Sequence, residues 1–140
     1  MSALDDLRAK GFIESVEADS GTAGKWLEDA QRHLEAAKAI ADIDPSGAYV
    51  LAYDAARKSV AASLLMTGNR VRSRPGAHQA LAQFAKHLAI ETGEPALRRF
   101  DRLRRNRNQA EYGSKSFGKA EVEEAINTAE AIRAACAKGT

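Results

Sequence analysis

PSGAYVLAYDAARKSVAASLLMT, residues 45–67, decides the fold. Asp44 and Pro45 open it with a side-chain cap and a first-turn proline, and Gly68 is a natural stop just past its end. Between them Tyr49, Ala52, Tyr53, Ala56, Val60, Ser63 and Leu64 recur at three-to-four spacing, the stripe of an amphipathic helix. Alanine, which loses no side-chain entropy in a helix, fills much of the stretch and makes up 29 of the 140 residues. Aromatic residues make up only 6%, so strand formers are scarce. The composition excludes most β architectures and also collagen-like or disordered chains.

Working outward, the same periodicity predicts a helix over 22–43, with Trp26, Ala30, Leu34, Ala37 and Ile40 or Ala41 facing inward. A short helix over 3–10 has Ser2 as its cap and Gly11 as its stop, and residues 12–19 fit no pattern. Residues 69–76 read as a basic loop. A third long helix covers 77–91, with Leu81, Phe84, Leu88 and Ala89 inward, and Thr92-Gly93 ends it. A fourth runs from Pro95 to Tyr112 and is stopped by Gly113. After a polar loop over 114–118, the last covers 119–137, with Val122, Ala125, Ile126, Ala129, Ile132 and Cys136 inward. The expectation is an all-α, up-and-down antiparallel bundle of four to five helices over 22–140, preceded by a lead-in over 1–21.

Several chemistries have no apparatus in this sequence. A lone cysteine excludes an internal disulfide and a cysteine-based zinc cluster, and on the inward face Cys136 reads as an inert thiol. His33, His78 and His87 lack metal-ligand spacing, and His33 reads as structural. No glycine-rich phosphate loop precedes a helix, and no serine sits in a nucleophile elbow. Neither a metal nor a cofactor is expected. No apolar run approaches the ~18 residues of a membrane span, and no signal-peptide pattern opens the chain, so a cytoplasmic protein is expected.

The net charge of +2 conceals a polarised chain. Residues 70–107 hold ten basic and three acidic groups, +7 in all, which leaves −5 for the other 102 residues. A basic segment inside an acidic chain points to an anionic partner for one face, or else to a solvated arginine-rich helix. Nine of the ten basic groups are arginine, whose planar fork suits bidentate phosphate contacts.

The end of the fourth helix is unusual. With ~100° per residue and Leu97 set at zero, Phe100, Leu103 and Ala110 define an inward stripe at about 300°, 240° and 220°. Arg107 falls at about 280° within that stripe, with Glu111 one turn on and Arg104 and Asn108 flanking. A buried arginine is costly unless paired, and Glu111 is its obvious partner. Three placements compete: half-exposed at the open end of the bundle, in a buried or dimer-facing network, or in a polar site facing a cleft. On the 45–67 helix, Asp54 can reach Arg57 and Lys58 at i+3 and i+4, either as surface ion pairs or as part of the Arg107 patch.

Over residues 22–137 the chain resembles the HEPN family of small prokaryotic helical bundles, in its compact actinobacterial type. The resemblance rests on Gly-Ala-Tyr-Val-Leu-Ala-Tyr-Asp-Ala-Ala-Arg-Lys at 47–58, Gly-Ala-His at 76–78 and Arg-Leu-Arg-Arg-Asn-Arg-Asn-Gln-Ala-Glu-Tyr at 102–112. It implies a homodimer with the late helix at a shared cleft. Members with the full motif, Arg followed after four to six residues by His, are metal-independent ribonucleases, and many are toxins paired with a nucleotidyltransferase. In one such group a tyrosine two residues after the His is modified with AMP.

This chain departs from the pattern at its decisive residue. Starting from Arg105-Asn106, the His position is Ala110 and the tyrosine position is Tyr112; starting from Arg107-Asn108, the His position is Tyr112 itself. Helical phase favours the second register. Imidazole supplies a base poised near neutral pH, whereas a phenol with an ordinary pKa near ~10 does not.

The leading expectation is therefore an RNA-directed, toxin–antitoxin or defence-type protein without the catalytic His. It would bind RNA or a nucleotidyltransferase through Arg102, Arg104, Arg105, Arg57, Lys58 and Asp54, with Arg107, Asn108, Glu111 and Tyr112 as the motif residues. The alternatives are an active endoribonuclease in which Tyr112 or Glu111 moves protons beside Arg107, and a non-catalytic dimeric interaction module.

Overall fold

A computed structural model describes residues 2–113 and 115–138. Ser114 of the expected polar loop lies outside them, as do Met1, Gly139 and Thr140. The described residues form six α-helices, a 3-10 turn and one two-stranded ribbon, so the chain is all-α apart from six strand residues.

Helix α3 (Pro45–Met66) is the axis of the molecule. Asp44 caps it by accepting from the Gly47 N–H at 2.9 Å, and Pro45 occupies its first turn. At its other end Gly68 takes the left-handed conformation (φ 81°) that a C-terminal stop requires. Ala48, Ala52, Ala55, Ala56 and Ala62 of α3 are fully buried. Buried Ser59 turns its hydroxyl back onto the Ala55 carbonyl at 2.8 Å, so no polar atom there is left unpaired.

Helix α2 (Ser20–Ile40) packs along α3, and α6 (Lys119–Ala137) packs chiefly on α3 and next on α2. Alanines line this junction too, with Ala23, Ala30 and Ala37 from α2 and Ala129 from α6 fully buried. Arg133 of α6 donates to the Leu27 carbonyl of α2 at 2.9 Å, and Lys38 meets Glu130 at 3.0 Å. Helix α4 (Ala77–Thr92) and α5 (Phe100–Glu111) cover the other side of α3, and the 3-10 turn Pro95–Arg99 between them packs on α4 and α6. No helix of the described residues is long and apolar enough to cross a membrane.

Four details depart from the sequence expectations. Helix α2 begins at Ser20, capped by Asp19, and ends at Ile40, three residues before Ile43. Its buried stripe includes Ala23 and Leu27, while Trp26 is only half-buried. The fourth helix is divided, because Glu94 and Pro95 initiate a 3-10 turn before α5 begins. The segments read as patternless and as a basic loop pair as antiparallel strands, β1 (Ile13–Ser15) with β2 (Asn69–Val71). This pairing ties the lead-in to the bundle. Ile13 is buried, Glu14 meets Arg70 at 2.6 Å, and the buried Asn69 side chain accepts from Arg8 of helix α1 (Ala3–Ala9) at 2.9 Å.

Two outcomes follow. Phe100 is 1% exposed and anchors α5, so Phe100→Ala should lower unfolding free energy by about 3–5 kcal/mol in urea denaturation. Burial pushes the Cys136 thiol up to about 12, so native protein should resist iodoacetamide at neutral pH and react once unfolded.

Candidate functional site

Helix α5 is held by its first half and released by its second. Leu97, Phe100 and Leu103 are buried, and Phe100 stacks on Tyr53 of α3 with ring centroids 5.8 Å apart. Beyond Leu103 the inward phase continues through Arg107 and Ala110, both half-buried. The apolar stripe thus gives way to a guanidinium at the rim of the bundle.

Arg107 lies over the Tyr53 ring, 5.9 Å from its centroid. One of its terminal nitrogens donates to Glu111 at 2.6 Å and to Asn108 at 3.4 Å. The Arg107 side chain is 28% exposed and that of Glu111 52%, which places the pair half-exposed at the open end. The Arg107 Nε–H is buried with no partner among the described residues. Such an orphan donor is uncommon, since buried polar groups are nearly always bonded.

Arg104 is fixed one turn back, with Nε and a terminal nitrogen both 2.8 Å from Asp101 Oδ1. From α3, Arg57 stands 3.7 Å from Asp54. Burial pushes the Tyr53 phenol up; Arg57, Arg104 and Arg107 pull it back less strongly, and Asp54 adds to the rise. The phenol therefore stays protonated at neutral pH, and each of the three arginines that act on it also holds a carboxylate, Asp54, Asp101 or Glu111. Tyr53 can donate or accept a hydrogen bond there, but it is not a base.

The opposite side of α5 carries a separate polar set. Asn106 donates to the Tyr49 hydroxyl at 3.1 Å, and Tyr49 lies flat on Phe117 with ring centroids 4.0 Å apart. Arg102 pairs with Glu124 of α6. Tyr49, Arg102, Asn106, Glu121 and Glu124 face a cavity of about 300 Å³ between α3, α5 and α6. Arg99 and Lys115 also line it, so its charges are mixed.

The structure therefore joins Asp54, Arg57, Arg104, Arg107, Asn108 and Glu111, and separates the rest. Lys58 does not join Asp54. It turns toward α2, 2.9 Å from His33 Nε2 and 3.7 Å from Asp29, because α2 packs along that flank of α3. Arg102 belongs to the α6 side. Arg105 is exposed and stands 3.3 Å from Asp101. Tyr112 caps the end of α5 at 85% exposure. Sequence reading missed Tyr49, Tyr53 and Asn106 as site residues. The available signal was that a tyrosine on an inward stripe needs somewhere to put its hydroxyl. Among the described residues no cluster of three or more His, Cys, Asp or Glu side chains could hold a metal ion.

Burial, and next the Lys58 ammonium, hold the His33 imidazole below its ordinary value. A depressed histidine contributes stability that is complete above about pH 6.5 and lost as pH falls through that range. Urea midpoints measured from pH 7.5 to 5 should fall in the wild type and fall less in His33→Gln.

A family model described as HEPN domain matches residues 23–139. No curated protein and no solved structure matches the chain.

Proposed function

The chain belongs to the HEPN family, and on that premise we propose that it is an RNA-directed protein that binds rather than cleaves. One observation carries this reading: the half-buried Arg107 guanidinium lies over the Tyr53 ring with its Nε–H unpartnered, and Arg57 and Arg104 act on the same phenol electrostatically. A phosphate backbone crossing that end would take up Arg107, and Arg57 beside it, in exchange for their carboxylates. Arginine's fork gives such contacts direction as well as charge. The orphan Arg107 Nε–H is the donor that a phosphate oxygen would satisfy after a small movement of the side chain.

The same arrangement argues against cleavage. No imidazole stands beside Arg107, where proton transfer would need a base. Tyr53 is shifted the wrong way for that role, and Glu111 is already engaged by Arg107. The active-endoribonuclease alternative rests on Tyr112 or Glu111, and Tyr112 lies outside the arginine group. We place the protein in a toxin–antitoxin or defence-type pair, acting as a homodimer with a nucleotidyltransferase partner. The exposure of Tyr112 suits an AMP acceptor in such a pair.

Fluorescence anisotropy with labelled single-stranded RNA and tRNA tests the binding. Affinity should fall with salt, with a log–log slope of about −0.7 per phosphate contact on single strands. Arg107→Ala should weaken binding about tenfold and flatten the slope by roughly one contact. Absent or salt-independent binding overturns the reading. For the partner, intact-mass measurement after co-expression with a nucleotidyltransferase should show one added AMP, lost in Tyr112→Phe. An unmodified mass would remove Tyr112 from that role.

A further inference from the structure

Two hollows adjoin along α6. One is the cavity of about 300 Å³ beside Tyr49, and the other, of about 370 Å³, is more open and lies between α6 and the 3-10 turn. Arg99, Glu124 and Thr128 line both, so the two form one trough. Charge is graded along it. At the Tyr49 end Arg99, Arg102 and Lys115 outnumber Glu121 and Glu124. At the other end Arg99 is the single cation against Glu94, Glu123 and Glu124.

Most of these charges are already held. Arg102 pairs with Glu124, Lys115 stands 3.2 Å from Glu121, and Glu94 accepts the Ala96 N–H at 3.0 Å. The Arg99 and Glu123 side chains make no ion pair or hydrogen bond among the described residues. A buried hydroxyl is unspent as well. Ser59 and Thr92 turn theirs onto the carbonyl four residues back, at 2.8 and 2.7 Å. Thr128 of α6, 5% exposed, does not, and its hydroxyl makes no hydrogen bond among the described residues. Arg107 Nε is the one fully enclosed side-chain polar atom left without a partner there, so the Thr128 hydroxyl is open to the hollows its residue lines. A buried hydroxyl with no partner costs stability that a valine in its place would not.

We propose that this trough binds a small zwitterion, with its carboxylate on Arg99 and the Thr128 hydroxyl and its ammonium on Glu123. A plain carboxylate would satisfy Arg99 but meet Glu94 and Glu124 as like charges, and a plain amine would satisfy Glu123 but meet Arg99. A molecule carrying both charges leaves neither side chain unpaired and gives the unbonded hydroxyl an acceptor. Such charge-assisted hydrogen bonds are roughly twice as strong as neutral ones. Each hollow lies near the lower end of small-molecule sites, which run from roughly 300 to 1,000 Å³, so the trough suits a molecule of amino-acid size. It shares no residue with the group around Tyr53 and Arg107, so the inference does not rest on RNA binding.

Calorimetric titration with glycine, β-alanine, γ-aminobutyrate and ε-aminocaproate tests this, because along that series one carboxylate and one ammonium move steadily apart. One member should bind saturably and about tenfold or more tighter than acetate or ethylamine, which carry one charge each. Arg99→Gln and Glu123→Gln, both at exposed positions, should each weaken that binding about tenfold. Thr128→Val should weaken it similarly while the melting temperature stays level or rises; a fall would give the hydroxyl to the fold and overturn its place in the site. No saturable binding by any of the zwitterions overturns the proposal. So does acetate or ethylamine binding as tightly as the best of them, or affinity left unchanged by Arg99→Gln, Glu123→Gln and Thr128→Val.

Discussion

The close approach of α2 and α6 to α3 is the contact on which the remaining structure depends. Fully buried alanines stand at 48, 52, 55, 56 and 62 of α3, at 23, 30 and 37 of α2 and at 129 of α6, the helices that pack most on α3. With so little side chain between them, the backbones come near, and few large residues are needed to fill the core. The volume that remains is taken by leucines and by Phe84, Phe100 and Ile132. Dense packing of this kind resists change of even a methylene, which fixes the orientation of α3 and therefore of its tyrosines.

From that fixed axis the polar end follows. Tyr49 and Tyr53 are one turn apart on α3, and each meets a different side of α5. Tyr49 bonds Asn106 on the side toward α6, whereas Tyr53 stacks on Phe100 and lies beneath Arg107. The tyrosine rings belong to the core and their hydroxyls to the sites. The +7 of residues 70–107 is accordingly not one patch. Arg104 and Arg107 join Arg57 at Tyr53, Arg70 meets Glu14, and Arg102 is neutralised by Glu124.

Legibility in the sequence tracked the length of the pattern. Helix α3 could be bounded from Asp44, Pro45 and Gly68 because cap, proline and stop all agreed with a long apolar stripe. The β1–β2 ribbon could not, since each strand is three residues long and is held by remote partners, Arg8 for Asn69 and Glu14 for Arg70. The half-exposed Arg107–Glu111 pair was one of the placements expected from helical phase. The joint action of Arg57 with Arg104 and Arg107 on Tyr53 needed the crossing of two helices 50 residues apart in the chain. Lys58 differed from its neighbour Arg57 only by the flank it occupies, which periodicity alone does not rank.

The claim most exposed to test is that one guanidinium group of three receives the RNA backbone. Side-chain Nε–H resonances of arginine, followed by NMR during titration with a short single-stranded RNA, test it directly. Arg57, Arg104 and Arg107 should shift together and saturate together, while Arg98 and Arg133 stay still. Saturable shifts confined to Arg98 or Arg133, with Arg107 unmoved, would contradict it.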